Sequence, residues 1–466
     1  MELIPILAFV IALYARSIRY KYMSDDRVLR EEYLYNVPEV LPPPDFTRRI
    51  PPIRVRIWTI ANHCINVVWV WQLFGWKAAL LFGVHPVAVS QVCWLTGNYY
   101  AGTTTLVMAA YWCLQQFGWF GAIGAAAFYT AAINSTLTAL GVPLFYLMTL
   151  QLPGILLFLP MIKFITGDRF TKGMKIRHRM RHRDFDKVEP KKIFFMTKIV
   201  YEYLIMFFAP GRMALFRTFG EGVSRTKKQY DRDCSPNLHF WMAALACGAL
   251  LLGGLLVNPV ALWWFCCNIA PHTQFKVYGQ SNPCDRYLYM PMIGLCILVA
   301  QVVPDPVLFM FAGFLAYRSH LYIYDWKDTG SLHLGNLRNS PERAMSHSDY
   351  GQWVMSHAVG VERDMVRINE ASYHIQKALA ISEKGDPIFE TYVNMAYFLA
   401  NMGNVQAALE MTKKAISVGG EQGCNTMLED TLVKQVTYFE GLIRQHQQTQ
   451  QKAQQAKEVV CSGSPA

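Results

Sequence analysis

Charge is what this chain has least of. Asp, Glu, Lys and Arg make up 17% of its 466 residues, where a soluble globular domain carries about 25%, and the shortfall argues against an ordinary water-soluble fold. No glycine-rich phosphate loop follows a strand-like run, which excludes a nucleotide-binding α/β architecture. Eleven cysteines are present, but none stand at metal-ligand spacing, so a zinc framework is excluded. Seven of them (Cys64, Cys93, Cys113, Cys247, Cys266, Cys267 and Cys296) fall in apolar runs. Of the others, Cys234, Cys284, Cys424 and Cys461, only a Cys234–Cys284 bridge stays open, because both are expected on one membrane side. The first apolar stretch lacks a basic leader and a small-residue cleavage site, and therefore reads as a retained helix rather than a cleaved signal.

What fills the chain instead is apolar: 53% of residues are hydrophobic and 14% aromatic. Apolar runs recur through the first 320 residues, among them 3–15, 57–76, 78–96, 99–117, 137–165, 238–257 and 305–320. Crossing a bilayer takes roughly 20 residues, so these runs predict an all-α, polytopic transmembrane helix bundle of about eleven spans. The net charge of +11 is concentrated: ten Lys and Arg lie between Arg169 and Lys192. Few apolar residues interleave them, so no nucleic acid partner is expected, and the positive-inside rule places this loop in the cytoplasm. Counting outward puts the N-terminus inside. Asp25, Asp26 and everything after about residue 321 fall on the extracytoplasmic side. The basic segment 212–233 falls there too, which calls either for a span count that differs by one or for a role that needs cations, such as meeting lipid phosphates.

After Tyr324 the apolar runs give way to amphipathic helical patterning. The stretch 386–420 resembles a tetratricopeptide repeat: Ala396, Gly403, Ala408 and Ala415 stand where only small side chains let two helices cross. Ala371 and Ala378 fit the second helix of a preceding repeat, and a helix over 427–446 would cap the stack. The Gln-rich remainder is expected to be disordered. The expected domains are therefore 1–325, transmembrane; 326–446, helical repeats that bind a protein or peptide; and 447–466, a tail.

Four stretches meet on the outer face: Asp25-Asp26, His85-Pro86 at a predicted helix break, "STLTALGVP" at 135–143, and Asp285-Arg286-Tyr287 in "DRYLYMPMIG". Carboxylate, cation and imidazole at a membrane interface suit chemistry on a phospholipid-linked substrate. Their order resembles the tetratricopeptide-containing, protein O-mannosyltransferase-like branch of the GT-C membrane glycosyltransferases. The likeness runs through Asp25-Asp26, "IANHCINVVWVW", "HPVAVSQVCWLTGN", "STLTALGVP", "DRYLYMPMIG" and the repeats, nearly the whole chain.

The resemblance implies transfer of a sugar from a polyprenyl-phosphate carrier to a hydroxyl, with inversion at the anomeric carbon. In that frame Asp25 or Asp26 is the general base. Arg286, with His85 second, binds the carrier phosphate; Asp285 and Tyr287 of the same motif bind substrate beside it; His272 and Lys276 are further phosphate contacts. His63, in mid-span, reads as a packed polar residue. No cofactor is required, although a divalent cation beside an aspartate pair and a phosphate stays open. The acceptor is a protein Ser or Thr presented by the repeats, or alternatively a surface glycan or lipid. The active site faces the periplasm of a bacterial inner membrane or the lumen of the endoplasmic reticulum. Several positions depart from the family pattern: Asn98 replaces an Arg, Thr136-Leu137 replace a Lys-Glu, and Ser90 or Gln91 stands where a Glu is expected. These losses fit a changed donor, or a non-catalytic scaffold that keeps the fold.

Overall fold

A computed structural model of the chain describes residues 2–20, 52–95, 97–167, 189–211, 213, 231, 234–273, 284–358, 364–384, 389–421 and 426–462. Every regular element among them is helical. Two compact units are formed, one from 1–174, 186–218 and 231–340, the other from 175–185, 219–230 and 341–466.

The first unit holds α1 (Leu3–Tyr14), α2 (Pro52–Phe74), α3 (Trp76–Val84), α4 (Val89–Cys93), α5 (Asn98–Ser135), α6 (Val142–Met148) and α7 (Phe158–Thr166). It continues through α8 (Lys192–Phe208), α9 (Leu238–Val257), α10 (Pro259–Ile269), α11 (Asp285–Leu288), α12 (Met292–Val302), α13 (Asp305–Asp325) and α14 (Thr329–Asn339). Proline does much of the cutting. Pro86 pushes His85 out of helical geometry (φ −72°, ψ 134°), which ends α3 at Val84. Pro259 opens α10 in the first turn, where its missing N–H costs nothing, behind an Asn258 side chain that accepts from Ala261 N. Within α5, Gly118 takes φ 53° and ψ −124°, a kink that an L side chain would resist.

The predicted run of long spans is consequently subdivided. Among the described residues one helix, α9, is long and apolar enough to cross a membrane; other apolar helices are shorter, as in Met292–Val302. The unit nonetheless exposes large apolar side chains and buries a set of polar ones within its mainly apolar core. Of the twenty residues of α9 only Ala243 and Gly254 are buried, while Leu245 and Leu256 are 77% and 79% exposed. Buried instead are Arg56, Thr59, Asn62, His63, Asn66, His85, Ser90, Gln91, Asn98 and Asp285.

The second unit contains α15 (Ala344–Ala358), α16 (Met365–Lys384), α17 (Phe389–Asn401), α18 (Val405–Glu421) and α19 (Thr426–Ser462). Helices α15 and α16 share a core of Val354, Met355, Ile368, Ala371 and Ile375 that extends to Met395 and Phe398 of α17. Ala396, Ala408 and Ala415 are buried, as their spacing predicts. Gly403 does something else: with φ 83° and nothing near its absent side chain, it turns the chain between α17 and α18. Asn404 then caps α18 by accepting from Ala407 N at 3.1 Å.

Two expected boundaries move. The first unit runs to Ser340, not 325, because α14 stays with it through an ion pair of Arg338 Nη2 to Asp325 Oδ1, 2.5 Å. The expected disordered tail is helix through Ser462; Gln, Ala and Lys are good helix formers, and no Gly or Pro interrupts 447–460.

Candidate functional site

The short helix α11 sets three candidate residues side by side and gives each a different role. Asp285 points inward. Its Oδ1 accepts from Arg286 N (2.7 Å) and Cys284 Sγ (3.5 Å), and its Oδ2 accepts from the Tyr322 hydroxyl of α13 (3.0 Å); the Ser90 hydroxyl also bonds it. Burial pushes this carboxyl above its usual range, while the Arg286 charge and these donors pull it back. Both oxygens of Asp285 are taken by donors of the chain itself, so its reading as a substrate-binding residue is replaced by that of an anchor that fixes α11 against α13.

Arg286 turns the other way. Its Cζ lies 5.2 Å from the centre of the Trp94 ring and 4.9 Å from that of Tyr287, cation–π distances on both sides. Nη2 reaches the Tyr287 hydroxyl only at 3.5 Å, and Tyr100 also touches the guanidinium. Among the described residues, Nη1 is buried with no hydrogen-bond partner. A charged donor left this way costs several kcal/mol of desolvation, of order 1–3 or more, unless an acceptor meets it. Tyr287 carries the stack onward: its other neighbour is His272, ring centroids 4.3 Å apart and planes within 11°. His272 Nε2 is 2.9 Å from the Thr138 hydroxyl, in the predicted 135–143 stretch. Arg286, Tyr287 and His272 therefore stand side by side in one column.

His85 is not in that column. Its Nδ1 accepts from Val87 N (3.1 Å), which caps the turn after the helix break, and its Nε2 donates to the Phe207 carbonyl (3.1 Å), with the ring stacked on Phe207. Both nitrogens are used, so the reading of His85 as a second phosphate donor is replaced by a positioning role. His63 is a packed polar residue, with Nδ1 2.7 Å from the Tyr289 hydroxyl and Nε2 3.1 Å from the Gly83 carbonyl. Asp25, Asp26 and Lys276 lie outside the described residues.

Sequence reasoning missed Trp94 and Tyr100, which close the cage. It also missed an amide seam between α2 and α5. Asn62 Nδ2 donates to Asn98 Oδ1 (3.0 Å), Asn98 Nδ2 to the Gln91 carbonyl (3.0 Å), and Asn66 Nδ2 to the Ala101 carbonyl (2.9 Å). The signal was available, since Asn62 and Asn66 stand four apart on one helix face of an apolar run. Asn98, where the family pattern has Arg, here joins two helix ends through neutral amides. Thr136 donates to the Thr103 hydroxyl at 3.1 Å.

Among the described residues no group of three or more His, Cys, Asp or Glu could hold a metal. Compared with known families, characterised proteins and solved structures, the chain matches none.

Proposed function

We propose that this protein is a multi-pass membrane glycosyltransferase that moves a sugar from a polyprenyl-phosphate carrier to a hydroxyl on the extracytoplasmic side. The observation that carries this reading is the buried Nη1 of Arg286, which has no hydrogen-bond partner among the described residues, on a guanidinium that meets both the Trp94 and Tyr287 rings. A caged guanidinium with a spare donor suits a phosphate oxygen, and its apolar-sided unit suits a lipid tail. The ordered motifs supply the reaction class. Asp25 or Asp26 takes the proton from the acceptor hydroxyl. The oxygen then attacks the anomeric carbon, the bond to the carrier phosphate breaks, and the phosphate leaves with that electron pair toward Arg286. The acceptor is a protein presented by the helical repeats.

The test is glycan and glycoprotein mass spectrometry on a deletion strain complemented with wild type, Asp25→Asn, Asp26→Asn or Arg286→Gln, each checked for membrane insertion. A sugar-sized mass that is lost on deletion, restored by wild type, not restored by Arg286→Gln and restored by at most one of the two aspartate variants supports transfer. Restoration by all three variants sinks the enzyme reading and leaves a membrane scaffold.

A further inference from the structure

The second unit contains a histidine pair that the proposed reaction does not use. His347 of α15 and His374 of α16 place their Nδ1 atoms 2.9 Å apart. The ring centroids are 5.1 Å apart and the planes 28° from parallel. That centroid separation is close to the Nδ1–Nδ1 distance plus two ring radii, so the rings meet nearly in line, edge to edge. A metal would need lone pairs converging on a point beside the line between the nitrogens. In-line rings instead share a proton. His347 Nε2 lies 3.0 Å from the Pro341 carbonyl, which can only accept. Its proton therefore sits on Nε2, its Nδ1 presents a lone pair, and His374 must donate from Nδ1.

We propose that His347 and His374 form a one-proton latch that holds α15 to α16 near neutral pH and opens in acid. The tautomers fix the order of events. The first added proton goes to His374 Nε2; Nδ1 still donates, and the bond becomes charge-assisted. The second can only go to His347 Nδ1. That removes the acceptor, sets two N–H groups against each other and puts two like charges in contact.

The surroundings keep the second proton off until the pH falls. From α16, Glu370 favours charge on His374, while Lys377 opposes it on both rings. From α15, the Tyr350 ring stands edge-on to His374 and its hydroxyl donates to Glu370 at 2.7 Å; from α17, Glu390 bears on Asp349. Burial, then the His374 and Lys377 charges, hold His347 below its ordinary 6.5, against the Pro341 bond. A lowered folded-state value means the latch contributes fully above about 6.5 and is lost as pH falls through that lowered value. Asp349 works in the opposite sense. Burial and Glu390 raise its carboxyl to about 7, so its protonated form adds stability that is lost as pH rises through that value.

The test is hydrogen–deuterium exchange of the full chain in lipid nanodiscs at about pH 7.5 and about pH 5, corrected for intrinsic rates. Wild type is expected to lose about tenfold or more of its protection over 344–384 in acid, relative to 389–421. His347→Gln supplies an amide N–H for Pro341 and an amide oxygen for His374, and should abolish that loss; Asp349→Asn should leave it in place. Unchanged wild-type protection, a loss that survives His347→Gln, or one that vanishes in Asp349→Asn overturns the latch. Histidine C2-hydrogen exchange on wild type gives a test that needs no variant. His374 should titrate first and His347 about one pH unit or more lower; the reverse order, or coincident titration, overturns the proposal.

Discussion

A guanidinium kept in a cage with an empty donor is a liability until something fills it. If Arg286 exists for a ligand anion, it destabilises the empty protein, and replacing it with an uncharged chain of similar length should help. Arg286→Met is expected to raise Tm in the absence of donor, by several degrees, while abolishing sugar transfer. A merely structural Arg286 predicts a lower Tm, and differential scanning fluorimetry beside the transfer assay separates the two. Asp325, just past the last apolar run, offers a second residue-scale test. Burial raises its carboxyl to about 6, against the pull of Arg338. A raised carboxyl stabilises the fold below its unfolded value and loses that contribution as pH rises through about 6. Asp325→Asn should therefore gain Tm relative to wild type near pH 7.5, with the gain shrinking as pH falls below about 6; a constant difference across that range would refute the assignment. Arg338 is 62% exposed, so its lost pair is small.

At the scale of elements, legibility followed range. The break at His85 could be read because proline restricts its immediate neighbour, and the buried Ala396, Ala408 and Ala415 because helix crossings repeat at fixed spacing. Gly403 satisfied the same spacing, yet its need is a positive φ, a backbone property that spacing does not encode. The Asp285–Tyr322 bond spans 37 residues and the Arg286–Trp94 contact joins α11 to the extended residue after α4, far away in the chain, so neither leaves a local trace. His85 was misassigned for that reason: its partner, the Phe207 carbonyl, is 122 residues away. Helix α9 carries its own prediction. Leu252 is 65% exposed, and on a water-facing helix Leu252→Arg would cost within about 0.5 kcal/mol. If α9 lies in lipid, the same change costs about 2.5–3.5 kcal/mol of insertion at the helix centre. Alkaline extraction of membranes should then release or lose much of the variant while wild type stays embedded; equal retention would count against α9 as a span.

At the scale of the molecule, the position of the first unit's end decides which truncations survive. Composition alone puts the boundary where the apolar runs stop, at 325. The contacts put it fifteen residues later, because α14 returns to the first unit: Arg338 pairs with Asp325, Asn339 Nδ2 donates to the Met213 carbonyl at 2.6 Å, and Asn336 is buried. Gly335 packs so closely on Asp325 that a Cβ there would stand 2.5 Å from its carboxyl carbon. A chain ending at 325 loses the Asn339 bond to Met213 and exposes the surface that α14 covers, where Leu332 and Asn336 are buried, while the lost pair to exposed Arg338 adds little. A chain ending at 340 keeps all of these contacts. The shorter chain is therefore expected to be degraded, and the longer one to accumulate in membranes at close to the wild-type level, as read by immunoblot of membrane fractions. The longer chain also separates the roles of the two units, since it retains Arg286, Trp94, Tyr287 and His272 but lacks α15 to α19. Donor turnover onto a small hydroxyl acceptor should persist in it, while transfer to a protein acceptor should fall. If transfer to protein is undiminished, the repeats do not present the acceptor, and a glycan or lipid acceptor becomes the better reading of the same site.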